Sequence, residues 1–295
     1  MDLIIGATGF LGFELCRQLR ARGRSVRALV RTSSAPERTE ALRTLGVELV
    51  VGDLKEAESL RRACSGIDHV LSTASATLSR AAGDSISSVD EIGHLQLVEA
   101  AQRAGVKHFV YTSFAPIALD FPLQQAKRSV ERALARSSLR WTVLQPPHFR
   151  DVWFSPALGF DAHKRAARIF GSGNQALSWI ALTDVARVAA AVVGRAEATQ
   201  RCLCFGGPQA LSQRRVVELF ERAVGSPFAL EVVPEAALQA QYDSAKDPLE
   251  QSFAALMLVC SKPVTQAIDN SSLRGLIDFE LSPIEQFVEG SARRR

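Results

Sequence analysis

The stretch Leu3-Ile4-Ile5-Gly6-Ala7-Thr8-Gly9-Phe10-Leu11-Gly12 decides how the rest of the chain is read. Three consecutive apolar residues predict a short buried strand, and Leu11, Leu15 and Leu19 recur beyond them at helical spacing. The glycines lie between. Gly6 and Gly9 let the backbone turn tightly and come close to a pyrophosphate. Gly12 lets the helix pack near the strand, and the helix N-terminus presents free amides to an anion. The spacing is G-x-x-G-x-x-G, so the generic G-x-G-x-x-G fingerprint is matched only in part. A strand before the turn and a helix after it point to a dinucleotide site built on Gly6, Thr8, Gly9, Phe10, Leu11 and Gly12.

A second apolar run, Val26-Arg27-Ala28-Leu29-Val30, follows the turn residues Arg22-Gly23-Arg24. In an NAD site, an Asp or Glu at the end of this strand takes the ribose hydroxyl. This chain has Arg31 there, followed by Thr32, Ser33 and Ser34, with no carboxylate in the adjacent sequence. A guanidinium offers an oxyanion a planar fork of donors, which suits a 2′-phosphate. NADP(H) is therefore expected to be preferred, with NAD(H) still possible.

The 295 residues are enough to bury a large core, and a hydrophobic content of 47% is ordinary for a globular chain. The net charge of +4 comes from basic residues scattered among 31 acids, so no nucleic-acid stripe is expected. The closing Ala292-Arg293-Arg294-Arg295 reads as a solvated tail. No apolar run is long enough to span a membrane, and with the first strand starting almost at Met1 no signal peptide is expected. Five cysteines, an odd number, form no paired framework. Cys202 and Cys204 share a strand face and read as small core residues rather than metal ligands. Reduced thiols and a cytoplasmic location are expected, with no metal.

Strand and helix alternate to about Gln145. Further strands are expected at Val47–Val51, His69–Ser72, Val106–Tyr111 and Trp141–Gln145. A helix is expected from Ile92 to Ala104, and another around Val130 and Leu134. This order predicts an α/β fold, a doubly wound parallel sheet of Rossmann type, with ligands beyond the carboxyl ends of the strands. Asp53 with Leu54, Thr73 with Ala74, Thr112-Ser113-Phe114, and Pro146 through Phe149 all fall at those ends.

Five stretches carry a resemblance to a known family. They are Gly6 through Gly12, Val51-Gly52-Asp53-Leu54, Val106 through Ser113, Trp179 through Ala186, and Phe205-Gly206-Gly207-Pro208. In this order they resemble the short-chain dehydrogenase/reductase superfamily, most nearly its atypical, NmrA-like and isoflavone-reductase-like branch. The resemblance implies NADP or NAD binding. Thr8 through Leu11 would face the pyrophosphate, Arg31 the 2′-phosphate, Asp53 and Leu54 the adenine, and Ala74 the nicotinamide-side ribose. Thr73, Ser113, Pro146 and Phe149 complete the expected cofactor set. Some members of the branch reduce small carbonyl, quinone or enone-like compounds, and others bind the dinucleotide only as a redox signal.

The superfamily's main pattern is Tyr-x-x-x-Lys on one helix. Here Lys127, one of only six lysines, stands four residues after Leu123, which has no proton to transfer. Lysine-only sites resemble the isoflavone-reductase-like branch, where the lysine itself assists proton transfer; Lys127 is thus the expected catalytic residue. Such a role needs a lysine brought toward neutrality by its surroundings.

After Pro146 the pattern is less regular. Residues 1–150 are expected to form the nucleotide-binding unit, with 179–207 rejoining its sheet, and 151–178 with 208–295 a smaller substrate-side lobe. Phe149, Trp153, Phe154, Phe160 and Phe170 cluster just after the sixth strand and suggest an apolar pocket or a local core. His148, Phe114 and Trp153 are the candidate substrate contacts. Thr183-Asp184 reads as a helix start, with a structural role for Asp184. The expected function is reduction of a small apolar substrate by NADPH, acting as a monomer or homodimer; a non-catalytic NADP(H)-binding sensor or assembly protein is the alternative.

Overall fold

The computed structural model describes residues 1–79, 81–262 and 267–293. Its strands are β1 (Asp2–Ile5), β2 (Val26–Val30), β3 (Glu48–Val51), β4 (His69–Ser72), β5 (His108–Thr112), β6 (Trp141–Gln145), β7 (His148–Phe149), β8 (Phe160–Asp161), β9 (Ala166–Phe170), β10 (Leu177–Ile180), β11 (Arg201–Cys204), β12 (Ala210–Leu211) and β13 (Ala229–Val233). Its α-helices are α1 (Phe10–Ala21), α2 (Pro36–Thr44), α3 (Ala57–Cys64), α4 (His94–Arg103), α5 (Pro122–Arg136), α6 (Arg150–Trp153), α7 (Leu182–Val192), α8 (Gln213–Val224), α9 (Glu235–Ser244), α10 (Pro248–Ser261) and α11 (Ile284–Arg293).

Seven strands form one sheet in the order β11-β6-β5-β4-β1-β2-β3, and every neighbouring pair is parallel. The strand order reverses between β1 and β4, the switch point at which such sheets open a ligand crevice. Strand alternation sends side chains to two cores. Ile4 joins α1, α2 and α7 on one face, while Leu3 and Ile5 join α3, α4 and α5 on the other. The expected α/β doubly wound sheet is the observed one.

Only part of the expected 179–207 return enters this sheet. β11 pairs with β6, but β10 pairs with β7 and β12 in a separate small sheet. The reason is packing: Leu177 and Trp179 turn into an aromatic core with Trp153, Phe154, Phe160, Phe170 and Phe220. Most of the aromatic cluster is thus core. Cys202 corrects another expectation. β11 is the sheet's edge, Leu203 fills the core, and Cys202 on the opposite face is exposed.

The helix expected from Ile92 begins earlier and in another form. Residues Ile86–Gly93 wind as a π-helix capped by Ser85, and α4 continues from His94. Wider π turns recur at functional sites, and this one places Asp90 inside the protein. At the chain's end, buried Asp184 accepts from Ser282 N at 2.6 Å, and Arg150 Nη1 donates to the Ser282 and Pro283 carbonyls at 2.9 and 2.8 Å. These bonds hold the C-terminal segment on the sheet. No described helix is long and apolar enough to cross a membrane. Arg294 and Arg295 of the basic tail lie outside the described residues.

Candidate active site

Between β1 and α1, Gly6 turns at φ +85°, a conformation that favours glycine. A Cβ on Gly12 would stand 2.1 Å from the Gly6 carbonyl oxygen, so this glycine lets the helix meet the turn. Gly9 differs: its φ is −76°, and an added Cβ would touch only the Gly6 oxygen, at 3.3 Å. The fold does not need a glycine there.

A cavity of about 1010 Å³ opens over this turn and runs along the carboxyl ends of the strands. Gly6, Thr8, Gly9, Phe10, Leu11 and Gly12 form its floor near β1. Arg31, Asp53, Leu54, Thr73 and Ala74 line the part beside β2–β4, and Ser113, Lys127 and Phe149 the part beside β5 and β6. Two expected residues are not on its wall. Thr32 points to solvent and Ser34, two residues on, lines the cavity instead; the Arg31 amide donates to Ser34 Oγ at 3.0 Å, which folds the loop inward. Pro146 is buried behind the wall, where its carbonyl accepts from Ala115 N at 3.3 Å, and Pro147 takes its place.

The far end of the cavity is apolar. Phe114, His148 and Trp153 line it, with Val152 and with Phe253, Leu256 and Val259 of α10. The Phe114 ring is stacked on Phe121, and Arg128 lies 5.2 Å over it while Arg128 Nη2 donates to the Phe114 carbonyl. His148 is buried with its ring centroid 5.2 Å from Trp153 and 5.5 Å from Trp179. Ser113 is 5% exposed and its Oγ has no hydrogen-bond partner among the described residues. A buried hydroxyl without a partner costs free energy unless a ligand supplies one. Among the described residues, no group of three His, Cys, Asp or Glu side chains could hold a metal ion.

Lys127 reaches the cavity from α5, one turn after buried Leu123. Its Nζ lies 3.1 Å from Asp90 Oδ1, a pair that is almost wholly buried, and 5.1 Å over the Tyr111 ring. Asp90 Oδ2 accepts from the Ala76 amide at 2.9 Å, so the π turn, the loop after β4 and α5 meet at this carboxylate. Beside it, His94 Nδ1 donates to the Val89 carbonyl at 2.7 Å, which leaves Nε2 to accept from Ser72 Oγ at 2.8 Å. Burial first, then the Lys127 charge, lower the His94 pKa to about 4. Burial, then the Asp90 and Glu131 charges, raise the Tyr111 phenol well above its usual value, and its hydroxyl has no partner among the described residues.

Arg31 is not alone. Its Nη1 lies 2.6 Å from Asp84 Oδ2, and Lys55 Nζ lies 2.5 Å from Asp84 Oδ1. The absence of an acid near Arg31 in sequence is thus overturned in space, because the loop after β4 brings one in from 53 residues away. Burial opposes the Asp84 charge, but hydrogen bonds from Lys55, Ser79 and Arg31 outweigh it and hold the carboxyl at about 2. Of the residues the sequence reading missed, Asp90 left a signal: an acid among Ile86, Val89, Gly93 and Leu97 on an apolar face. Asp84 and Lys55 left none, being loop residues among other polar ones.

The NmrA-like family model matches residues 3–285. A photosystem II assembly factor, Ycf39 of Synechocystis, is 30% identical over 246 residues, covering 80% of this chain and 72% of that protein. An NAD(P)H azoreductase of Xenophilus azovorans is 29% identical over 229 residues, covering 77% and 75%. Among solved structures, a Citrobacter triphenylmethane reductase complexed with NADP(H) superposes with a TM-score of 0.79 at 20% identity, covering 99% of this chain and all of that one, and so shares the fold. With the family model spanning nearly the whole length, this chain belongs to the NmrA-like family.

Proposed function

We propose that this protein is an NADP(H)-dependent reductase of a small, apolar carbonyl, quinone or enone-like substrate. The observation that carries the reading is the continuity of the cavity: glycine turn, Arg31, orphaned Ser113 hydroxyl, Lys127 and an aromatic end wall all open into one space. That space is of the size usual for small-molecule sites, mostly apolar with a few convergent polar groups. The azoreductase and dye-reductase likenesses agree with it.

Gly6, Gly9 and the α1 N-terminus would hold the pyrophosphate, Arg31 the 2′-phosphate, and Ser113 and Lys127 the nicotinamide half. The bound cofactor supplies the hydride. Asp90 fixes the Lys127 ammonium at the cavity wall, where it can hold a ribose hydroxyl or donate a proton to a substrate oxygen. Phe114 and Trp153 line the apolar end of the cavity, where a planar substrate would be shielded from water. Free thiols on every cysteine fit a reducing compartment such as the cytoplasm.

A second reading, a dinucleotide-binding assembly or sensor protein, is favoured by Leu123 in the tyrosine position and by the resemblance to Ycf39. NADPH oxidation over a panel of quinones, enones, azo and triphenylmethane dyes separates the two. Turnover that Lys127→Ala reduces on the order of a hundredfold or more supports the reductase. Tight NADPH binding with no turnover on the whole panel favours the sensor.

A further inference from the structure

Asp84 sits where a phosphate is expected. Its side chain is 4% exposed, yet it lines the cavity, and its two oxygens are shared by Arg31 and Lys55, which are 36% and 25% exposed. Ser79 Oγ also donates to it. Two cations and a hydroxyl converging on one anion make a built oxyanion site, and the anion is the protein's own. The adenosine 2′-phosphate of NADP(H) carries a charge of about −1.5 to −2 near neutral pH. Both anions cannot take the same guanidinium edge without repulsion.

We propose that Asp84 is a specificity-determining residue, an internal anion that competes with the 2′-phosphate for Arg31 and Lys55 and so weakens the preference for NADP(H) over NAD(H). This rests on the NADP(H) reading above. Without a phosphate, the carboxylate neutralises Arg31 and shares Lys55 with Asp53, whose Oδ2 lies 3.6 Å from the Lys55 Nζ. With one, Arg31 and Lys55 exchange a carboxylate for a phosphate, and the net gain is the difference between the two contacts rather than the whole of the second. A ligand with a 2′-hydroxyl leaves the Asp84 contacts in place. The carboxylate enters from the loop after β4 and not from the end of β2, so the site combines an arginine at the NADP position with an acid supplied from elsewhere.

The test uses two probes that lack the nicotinamide: adenosine 2′,5′-bisphosphate and adenosine 5′-monophosphate. Each is titrated calorimetrically into the full-length wild type, Asp84→Asn, Asp84→Glu and Arg31→Ala, with thermal melts to establish folding. Asp84→Asn keeps the shape and removes the charge. It is expected to bind the bisphosphate about tenfold tighter while the monophosphate changes less than about twofold. Asp84→Glu, which keeps the charge, is expected to show no tightening. A bisphosphate affinity unchanged or weakened in Asp84→Asn overturns the proposal, the weakened case making the carboxylate a holder of Arg31. If Asp84→Asn does not fold, Lys55→Met decides. It removes one of the two cations that hold the carboxylate on the site, and a loss of bisphosphate affinity no larger than that of monophosphate overturns the shared-anion account. Failure of the underlying reading looks different: wild type and Arg31→Ala would then not distinguish the two probes at all.

Discussion

Lys127 Nζ and Asp90 Oδ1 stand 3.1 Å apart, their side chains only 6% and 0% exposed, at the wall of the cavity. The lysine comes from α5, and the aspartate from a π turn 37 residues earlier in the chain. A buried pair of this kind is costly to break from one side, because the remaining charge has neither water nor partner.

Lys127→Met and Asp90→Asn should each therefore lower stability, the former by about 3–5 kcal/mol through the unpaired carboxylate. The double substitution Lys127→Met with Asp90→Asn should cost less than the two single losses summed. Denaturant titration of the wild type, the two single variants and the double measures the coupling. Strictly additive losses would show that the pair does not interact energetically. Asp90→Asn should also lower kcat while leaving the KM for substrate nearly unchanged, as expected of a positioning residue.

Gly9 and Gly12 should part company. Gly9→Val meets only one carbonyl oxygen at 3.3 Å and should fold, yet it fills the space over the turn and should abolish NADPH binding. Gly12→Ala places a methyl 2.1 Å from the Gly6 oxygen and should cost the fold itself several kcal/mol. Melting curves and cofactor titration on both variants check this. A folded Gly9→Val protein that still binds NADPH normally would place the dinucleotide elsewhere.

Arg31→Ala should weaken NADPH by about tenfold, the lower end of what a charge-assisted hydrogen bond worth about 1.5–3 kcal/mol would give, because the guanidinium gives up Asp84 to take the phosphate. Asp84 would then face the phosphate with one cation fewer. NADH, lacking that phosphate, should be affected far less. Competitive titration of the two cofactors gives the ratio, and equal losses for both would refute the assignment.

Stability should fall on mild acidification. His94 and His108 are buried neutral, and burial, the leading cause for each, lowers both pKa values from 6.5 to about 4. His108 is held by the Thr142 hydroxyl at 2.8 Å and the Gly194 amide at 2.9 Å. Between pH 6.5 and about 4 the unfolded chain binds these protons and the folded one does not, so stability decreases as pH drops through that window. The cost approaches about 3 kcal/mol per histidine at its lower end. A Tm that stays level from pH 7 to 5 would contradict this.

Much of the fold was legible because local pattern and tertiary demand agree along the first half of the chain. Leu3-Ile4-Ile5 has one way to be buried, and the glycines after it have few conformations in which β1 and α1 can meet. The second half was harder to read. Trp179 falls in the stretch expected to rejoin the main sheet, yet its large ring fills a separate core with Phe170. Cys202 alternates like a core residue but sits on the sheet's edge strand, where it is exposed.

By itself, the sequence determined the parallel sheet, the glycine turn over its first strand, the arginine after its second, and the lysine that stands without a tyrosine. Those depend on short-range order: apolar runs, glycine spacing and residues a few positions apart. Only the tertiary structure decided which charges those residues meet. Asp84 reaches Arg31 across 53 residues and Asp90 reaches Lys127 across 37. Charge pairing depends on distance in space, and the crossovers of a doubly wound sheet bring together loops that are far apart along the chain.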